Sequence, residues 1–548
     1  MKHGMMALIL TGFAIRSYAW EAGWSDELTP IYPDRPVAGE PAQWETDVPR
    51  GGIAGAHVLI SGIPEGAVLS VEAPDDVRVF RLVAVPVEEN TGLDSRTERF
   101  TGQTNPHVIR RAPFRIFEGL EPIRDRVTSD GSTLALRVEI PIPPAADPGE
   151  LEREVVLREG AEARRLTLRV RVYAATVPPL ADQHYGYVNW HSSSKIASAH
   201  RVEPWSEEFW AVMDRYAAMM ARGRQNMVLL SLNDMFSRRP DGTWQLEKDR
   251  LHRYVRTFER HGVTQLAGGH LAGRTGGRWE ASTLDLILGG GRTEGPQADA
   301  RLDEILLPLA REIREQGWAS RWLQHIADEP TGGLLAPYRA LVEEVRRRLP
   351  EGVRIFEATM TRALDGTVDV WCPQIQEYES HRDFFDGQMA QGRGVWVYTC
   401  LTPGGPHLNR LLDQERLRPV YLGWSLSKYN LRGFLHWGGT YWTDDPFGVS
   451  VRQHAPENPN NRLPAGDSHI WYPGPKGPWS STRFEAHRIG MEDAELLRRL
   501  QAVRPELHAA LMNQQLRTYT DFNKDVRVYR EARRVMLSAL SEPASEAH

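Results

Sequence analysis

Cysteine is nearly absent from this chain: Cys372 and Cys400 are the only two among 548 residues. Two thiols cannot build the disulfide framework of a small secreted scaffold, nor a cysteine-rich metal site. Both read as buried small apolar residues, with their pairing left open. Long hydrophobic runs are missing too. Beyond the first 19 residues no segment stays apolar over the roughly 20 residues a membrane-spanning helix needs, so no transmembrane span is expected in the mature chain. Nor is there an excess of positive charge. The formal net charge is −6, with acidic and basic side chains interspersed, which leaves no basic stripe for nucleic acid and no polybasic segment for a membrane surface. A neutral partner is the expectation.

Aromatic residues, by contrast, are plentiful: 17 Trp and 16 Tyr. Their faces suit the apolar faces of sugars, although core packing also uses them. Residues 1–19 read as a secretory signal. Lys2 and His3 form a weakly basic start, Met5 to Ile15 an apolar run, and Ser17-Tyr18-Ala19 a small-residue cleavage site, so the mature chain would begin near Trp20 and be secreted or periplasmic. An uncleaved anchor is the alternative, for which the run is short.

A chain this long should hold two or three domains at about 150 residues each. Residues 20–179 carry short β-prone runs such as HVLISGI from His57 and VRVFRLVAVPV from Val77, separated by Gly, Pro and Asp turns. LTLRVRVYAATVPP, from Leu166, alternates with period two and ends in a double proline. This pattern predicts a β-sandwich. After Pro179 strands alternate with helices. Eight candidate strands start near residues 184, 226, 263, 322, 353, 368, 394 and 431. The helix after the first has Ser206 as N-cap, Glu207 and Glu208 in its first turn and Gly223 past its end. Number and span predict a (β/α)8 barrel over residues 180–483, with a C-terminal helical extension over 484–548.

The fourth strand, in RWLQHIADEP, ends in two consecutive carboxylates, Asp328 and Glu329, closed by Pro330. Sites in such barrels gather at the C-terminal strand ends, and acid/base chemistry on a sugar needs two carboxyl groups in different protonation states. An acidic pair there could also simply cap the next helix. Other strand ends bring Asn189 and Trp190, His270, Glu357, Trp371, Tyr398, His436 and Trp437, with Trp442 just beyond. Trp190, His270, Trp371, Tyr398, Trp437 and Trp442 are the expected substrate-binding residues. A metal reading of His325, Asp328 and Glu329 lacks a second ligand cluster at known spacing, so neither metal nor cofactor is expected.

The fourth-strand DEP, WVYTC at Trp396–Cys400, GFLHWGGTYWTDDPF at Gly433–Phe447, YPG at Tyr472–Gly474 and STRFEAHRIGMEDAELL at Ser481–Leu497 together resemble the catalytic domain of glycoside hydrolase family 123. The resemblance implies an N-terminal β-sandwich ahead of a (β/α)8 barrel and a retaining β-N-acetylgalactosaminidase. It also implies that Asp328 orients the substrate acetamide and Glu329 is the general acid/base. Adjacency fits this physically. Carboxylates that flank a sugar must stand about 5 Å or more apart across the anomeric carbon, whereas attack by the substrate's own acetamide does not need that. Two neighbouring like charges also keep one proton near neutral pH. The expectation is an exo-acting enzyme on oligosaccharides or glycoconjugates. A glycosidase for a sugar without a 2-acetamido group and a non-catalytic carbohydrate-binding protein are the alternatives.

Overall fold

The computed structural model describes residues 20–35, 41–455 and 457–542; the expected leader, residues 1–19, lies outside them. The N-terminal part is a β-sandwich. One sheet has seven strands and the other five, and Glu162–Thr176 forms the spine of the smaller one, antiparallel to Gly149–Glu159. The period-two pattern explains its packing. Leu166, Leu168, Val170 and Val172 point into the core between the sheets, where they meet Trp24, Val58 and Leu136 of the larger sheet. Their neighbours Arg165, Arg169 and Arg171 face water and pair across the strands with Glu154, Glu152 and Glu150.

The expected eight strands then form one parallel barrel: β1 Gly186–Asn189, β2 Met227–Leu230, β3 Gln265–Gly268, β4 Trp322–Gln324, β5 Arg354–Ala358, β6 Val370–Cys372, β7 Gly394–Thr399 and β8 Gly433–His436. Backbone pairing runs from β2 through β8 to β1. At the remaining seam, between β1 and β2, side-chain amides stand in for a ladder. The backbone N–H of Tyr187 donates to Asn226 Oδ1 at 2.9 Å and that of Asn189 to Gln225 Oε1 at 3.0 Å. Alternate residues of each strand go to opposite sides. Val188, Ala267, Leu323, Phe356, Val370, Cys372, Trp396 and Leu435 fill the barrel interior, while Tyr187, Val228, Leu266, Ile355, Trp371, Val397 and Phe434 face the helices. The Trp396 ring needs Gly186 beside it, because a Cβ there would lie 2.1 Å from its Cζ2.

The first barrel helix, Glu207–Arg222, is capped as expected: Ser206 Oγ accepts from Phe209 N at 3.2 Å, and Gly223 ends it. Thr482–Val503 follows the eighth strand, packs against Leu417–Lys428 and is buried along most of its length. None of the helices is long and apolar enough to cross a membrane among the described residues. Cys372 and Cys400 do not pair; the first is buried and the second half-buried.

Sandwich and barrel interlock in two ways. Gly477–Ser481 pairs antiparallel with Phe114–Pro122, so a hairpin that follows the barrel strands extends the larger sandwich sheet. Beneath it runs a buried ion network. Arg137 meets Glu27 at 2.7 Å and Glu139 at 3.0 Å, Arg222 meets Glu139 at 2.6 Å and Glu485 at 2.9 Å, and Arg488 meets Glu485 at 2.9 Å. A charge out of water is tolerable only with such partners. The sandwich loop near residues 90–96 reaches the barrel's C-terminal face. Thr91 Oγ1 donates to Asp413 Oδ1 at 2.7 Å, and Arg96 N to the Leu401 carbonyl at 3.0 Å.

Candidate active site

The segment after β4 is held by a carboxylate below it. Glu357, fully buried on β5, accepts through Oε2 from the backbone N–H of Ile326 at 2.8 Å and Ala327 at 3.1 Å, and from the Tyr338 hydroxyl at 3.0 Å. Its Oε1 lies 3.2 Å from His325 Nδ1 and 3.6 Å from His270 Nε2. Burial alone would raise this carboxyl, but the two neighbouring histidines outweigh it and hold it at about 2. Glu357 therefore supports the floor from beneath and does not face substrate.

The chain then turns sharply. Glu329 has φ +46°, a left-handed conformation that side-chain-bearing residues rarely adopt. Arg274, from the loop after β3, stabilises it. Its guanidinium donates to the Asp328 carbonyl at 2.8 Å and to the Glu329 carbonyl at 2.7 Å. The same side chain donates to the Trp279 carbonyl at 3.2 Å and lies over the Trp279 ring, 4.0 Å from its centroid. The loop after β3, rich in glycine between Gly273 and Gly291, is thereby tied to the carboxylate pair.

The two carboxyls differ in surroundings. Glu329 is half-buried and accepts from the Tyr398 hydroxyl through Oε1. Desolvation and the Asp328 charge push it up to about 7, against the Tyr398 bond and the Arg274 charge, which favour the ionised form. Asp328 is also raised, by desolvation first and by Glu357, but His270 opposes the shift. The His270 Nε2 stands 3.9 Å from Asp328 Oδ1. Desolvation disfavours the imidazolium; Glu357 and Asp328 outweigh it and leave His270 raised above its ordinary value. Glu329 thus holds its proton up to about neutrality, and the His270 imidazole beside Asp328 has its charged form favoured.

The pair opens into a cavity of about 1660 Å³ lined by Trp190, His270, Tyr398, Trp437 and Tyr441, among others. Trp437 and Tyr441 lie 5.2 Å apart between ring centroids, and Trp437 Nε1 donates to Asp467 Oδ1 at 3.2 Å. Asp467 is fully buried, and desolvation pushes its carboxyl up to about 7. Its place explains how an aromatic platform keeps a fixed tilt.

Six of the eight expected site residues meet at this cavity: Asp328, Glu329, Trp190, His270, Tyr398 and Trp437. Two do not. Trp371 is fully buried outside the barrel, where its Nε1 donates to Gln388 Oε1 at 3.1 Å and its ring packs edge-on against Phe384 and Phe385. Its neighbours Val370 and Cys372 take the inward positions, so strand alternation turns Trp371 away. Trp442 also turns into the core, with Nε1 donating to the Trp471 carbonyl at 2.7 Å. Asn189 and His436 lie beneath the floor, both bonded to buried Arg410. Local pattern does not single out Arg274, Tyr441 or Asp467: Tyr441 lies within GFLHWGGTYWTDDPF, whereas Arg274 and Asp467 lie in long loops without local signal.

Among the described residues, His270, His325 and Glu357 form a group that could hold a cation, with one ligand atom from each within 4.8 Å of the others. The Glu357 charge, however, already has donors in His325, two backbone amides and Tyr338. Hydrogen bonding thus accounts for the carboxylate, while His270 Nε2 and His325 Nε2 have no hydrogen-bond partner among the described residues.

Residues 190–500 match the family model described as glycoside hydrolase 123, catalytic domain. Among solved structures, the chain is similar to a family 123 glycoside hydrolase from Clostridium perfringens, described for glycolipid glycan hydrolysis. The TM-score is 0.70 and the identity 12%, over 95% of this chain and 97% of that one, which shows a shared fold. An endo-β-1,4-mannanase from Thermotoga petrophila has a TM-score of 0.36 at 9% identity over 58% of this chain and 78% of that one, too slight to carry an argument. Among curated proteins, none matches.

Proposed function

The chain belongs to glycoside hydrolase family 123, and from that premise we propose that it releases a terminal β-linked N-acetylhexosamine, with N-acetylgalactosamine preferred, by a retaining reaction in which the substrate's 2-acetamido group is the nucleophile. A glycosidase of this family acts on carbohydrate; the finer reading rests on the carboxylate pair. The observation that carries it is that Asp328 and Glu329 leave one strand end together with unlike environments, one 3.9 Å from His270 Nε2 and the other holding a proton up to about pH 7.

In this reaction the acetamide oxygen attacks the anomeric carbon and the bond to the leaving oxygen breaks. Glu329 gives its proton to that oxygen. Asp328, ionised, accepts from the acetamide N–H and stabilises the positive charge of the cyclised oxazolinium, the species at which electrostatic stabilisation matters most. Water then opens the ring as Glu329 takes the proton back. No step needs a metal. Trp437 and Tyr441 supply an aromatic wall for the apolar sugar face. Asp234, the cavity-lining carboxylate beyond β2, is raised by desolvation.

The test compares kcat/KM for matched 2-acetamido and 2-hydroxy aryl β-glycosides and measures inhibition by a thiazoline analogue of the cyclised intermediate. The expected result is hydrolysis of the acetamido sugar alone and tight thiazoline inhibition, since complementarity to the transition state exceeds that to the substrate. Comparable rates on both sugars without inhibition would establish instead a glycosidase for sugars that lack the acetamide. The leader reading over residues 1–19 supports a secreted or periplasmic location. N-terminal sequencing of exported protein should begin near Trp20; an intact Met1 would overturn it.

A further inference from the structure

We propose that the outer part of the cavity is an anion-binding subsite for a sulfate ester or carboxylate on the sugar at the leaving-group side, with Arg96 and Arg452 as its cations. The inference rests on the glycosidase reading of the floor. It begins with where Arg96 comes from. The residue belongs to the sandwich, yet lines the barrel's cavity, and it does so with φ +59°, a left-handed conformation. Local bonds keep it there: Gly92 N donates to its carbonyl at 2.9 Å, and its own N–H to Leu401 O at 3.0 Å. Its Nε donates to Asn461 Oδ1 at 2.7 Å and its guanidinium lies 4.3 Å from the Phe100 centroid. Arg452 comes from the loop after β8, and its Nη1 donates to the Tyr441 carbonyl at 3.0 Å.

Both guanidiniums are half-buried on the cavity wall, and neither forms an ion pair among the described residues. Acidic residues of the neighbouring sandwich segment are engaged elsewhere, Asp94 with the backbone N–H of Ser95 at 2.7 Å. Glu89 pairs with Arg99 and Arg462, and Glu88 accepts from the backbone N–H of Ser450 and Val451. Glu457, exposed on the same wall, contributes one opposing charge. The two arginines meet at one hairpin: Asn461, which accepts from Arg96, immediately precedes Arg462–Leu463, the strand that pairs with Arg452–Gln453, and both charges oppose protonation of His454 there, after desolvation. Each neutral oxygen contact leaves other N–H groups of the planar fork free, and a fork of this shape matches two oxygens of a sulfate or carboxylate. The location also decides which sugar carries the anion. At the floor an anion would meet Asp328, so the terminal sugar is neutral there. Arg96 is bonded to the Leu401 carbonyl, three residues past the Tyr398 that holds the acid Glu329, and the acid marks the leaving-group side; Arg452 is bonded to the carbonyl of Tyr441 in the aromatic wall.

The experiment measures kcat/KM for three β-linked N-acetylgalactosamine disaccharides whose second sugar is galactose, sulfated galactose or glucuronic acid. Sulfated galactose and glucuronic acid separate the two anion sources. At low salt at least one anionic substrate should exceed the neutral one by about tenfold or more, an advantage that shrinks as ionic strength rises. The ratio of anionic to neutral rates should fall towards one in Arg96→Ala and in Arg452→Ala, and survive in part in Arg96→Lys. Equal rates on all three disaccharides, or a ratio unchanged in both alanine variants, would overturn the subsite while leaving the floor reading intact. Failure on every acetamido substrate would instead overturn the floor reading. Tryptophan fluorescence of Glu329→Gln titrated with sulfated galactose then reads the subsite alone: salt-sensitive binding lost in Arg96→Ala supports it, and no binding overturns it.

Discussion

Arg274 donates to the backbone carbonyl of Glu329 at 2.7 Å while Glu329 stands at φ +46°. A non-glycine residue in that region stores roughly 1–3 kcal/mol of strain, which persists only where its surroundings determine it. The two facts belong together: the proposed acid is aimed by a backbone conformation that a residue from another loop holds in place. Arg274 is thus a positioning residue.

For Arg274 the fork geometry matters as well as the charge. Arg274→Lys keeps the charge but cannot bridge two carbonyls, so kcat should fall about tenfold or more with KM changing little. Arg274→Ala also removes the charge that favours ionised Glu329, and should move the basic limb of the kcat/KM profile upward. Steady-state kinetics across pH check both. A loss of rate with an unmoved limb in Arg274→Ala would mean a merely structural role.

The pH dependence follows from Glu329. Its acid form is the working form, and its carboxyl is raised to about 7. Protonation of Asp328, itself raised, sets the acidic limb, and kcat/KM should fall tenfold per unit above about 7 on the basic limb. Tyr398→Phe removes the bond that favours the ionised form, and should shift this limb to higher pH. A limb that stays put in the phenylalanine variant would take Tyr398 out of the titration.

The two carboxylates should fail differently. Glu329→Gln is expected to lower turnover by roughly 10²–10⁴-fold on poor leaving groups, and far less on activated aryl glycosides that need no protonation. Asp328→Asn removes the charge that faces the oxazolinium, so good and poor leaving groups should lose rate by similar factors. Kinetics on a leaving-group series separate the two patterns.

Stability in acid should be limited by the buried network between sandwich and barrel. Desolvation would raise Glu27, but Arg137, Arg530 and Arg488 hold it at about 2, and Glu485 and Glu139 are likewise lowered by their arginines. Carboxyls lowered in the folded state contribute stability that is fully present above their ordinary 4.5 and is lost as pH falls through the folded values. Thermal unfolding should therefore drop steeply between about pH 4.5 and 2. Glu485→Gln should lower Tm at pH 7 and flatten this dependence.

Chelation should change little. The donors around Glu357 already satisfy its charge, so dialysis against a chelator is expected to leave both turnover and Tm unaltered. Loss of activity restored by one divalent ion would show that His270, His325 and Glu357 form a metal site.

Much of this protein is written locally. Eight strand-length apolar runs separated by capped helices are enough for a barrel, because periodicity reports which face of each element must be buried. The place of Asp328 and Glu329 was equally legible, since a run that ends at Pro330 can only put them where strand becomes loop. Side-chain direction was less so. Trp371 and Trp442 are the same residue type in similar positions as Trp190 and Trp437, and only the pleat and the packing of Gln388 and Trp471 send them into the core. Residues brought from afar were not legible at all: Arg96 from the sandwich, Arg274 from the loop after β3 and Asp467 from the loop after β8 meet the same cavity. No short-range pattern encodes such meetings. They depend on the register of the barrel and on how the sandwich docks against it, which are decided by contacts between segments hundreds of residues apart.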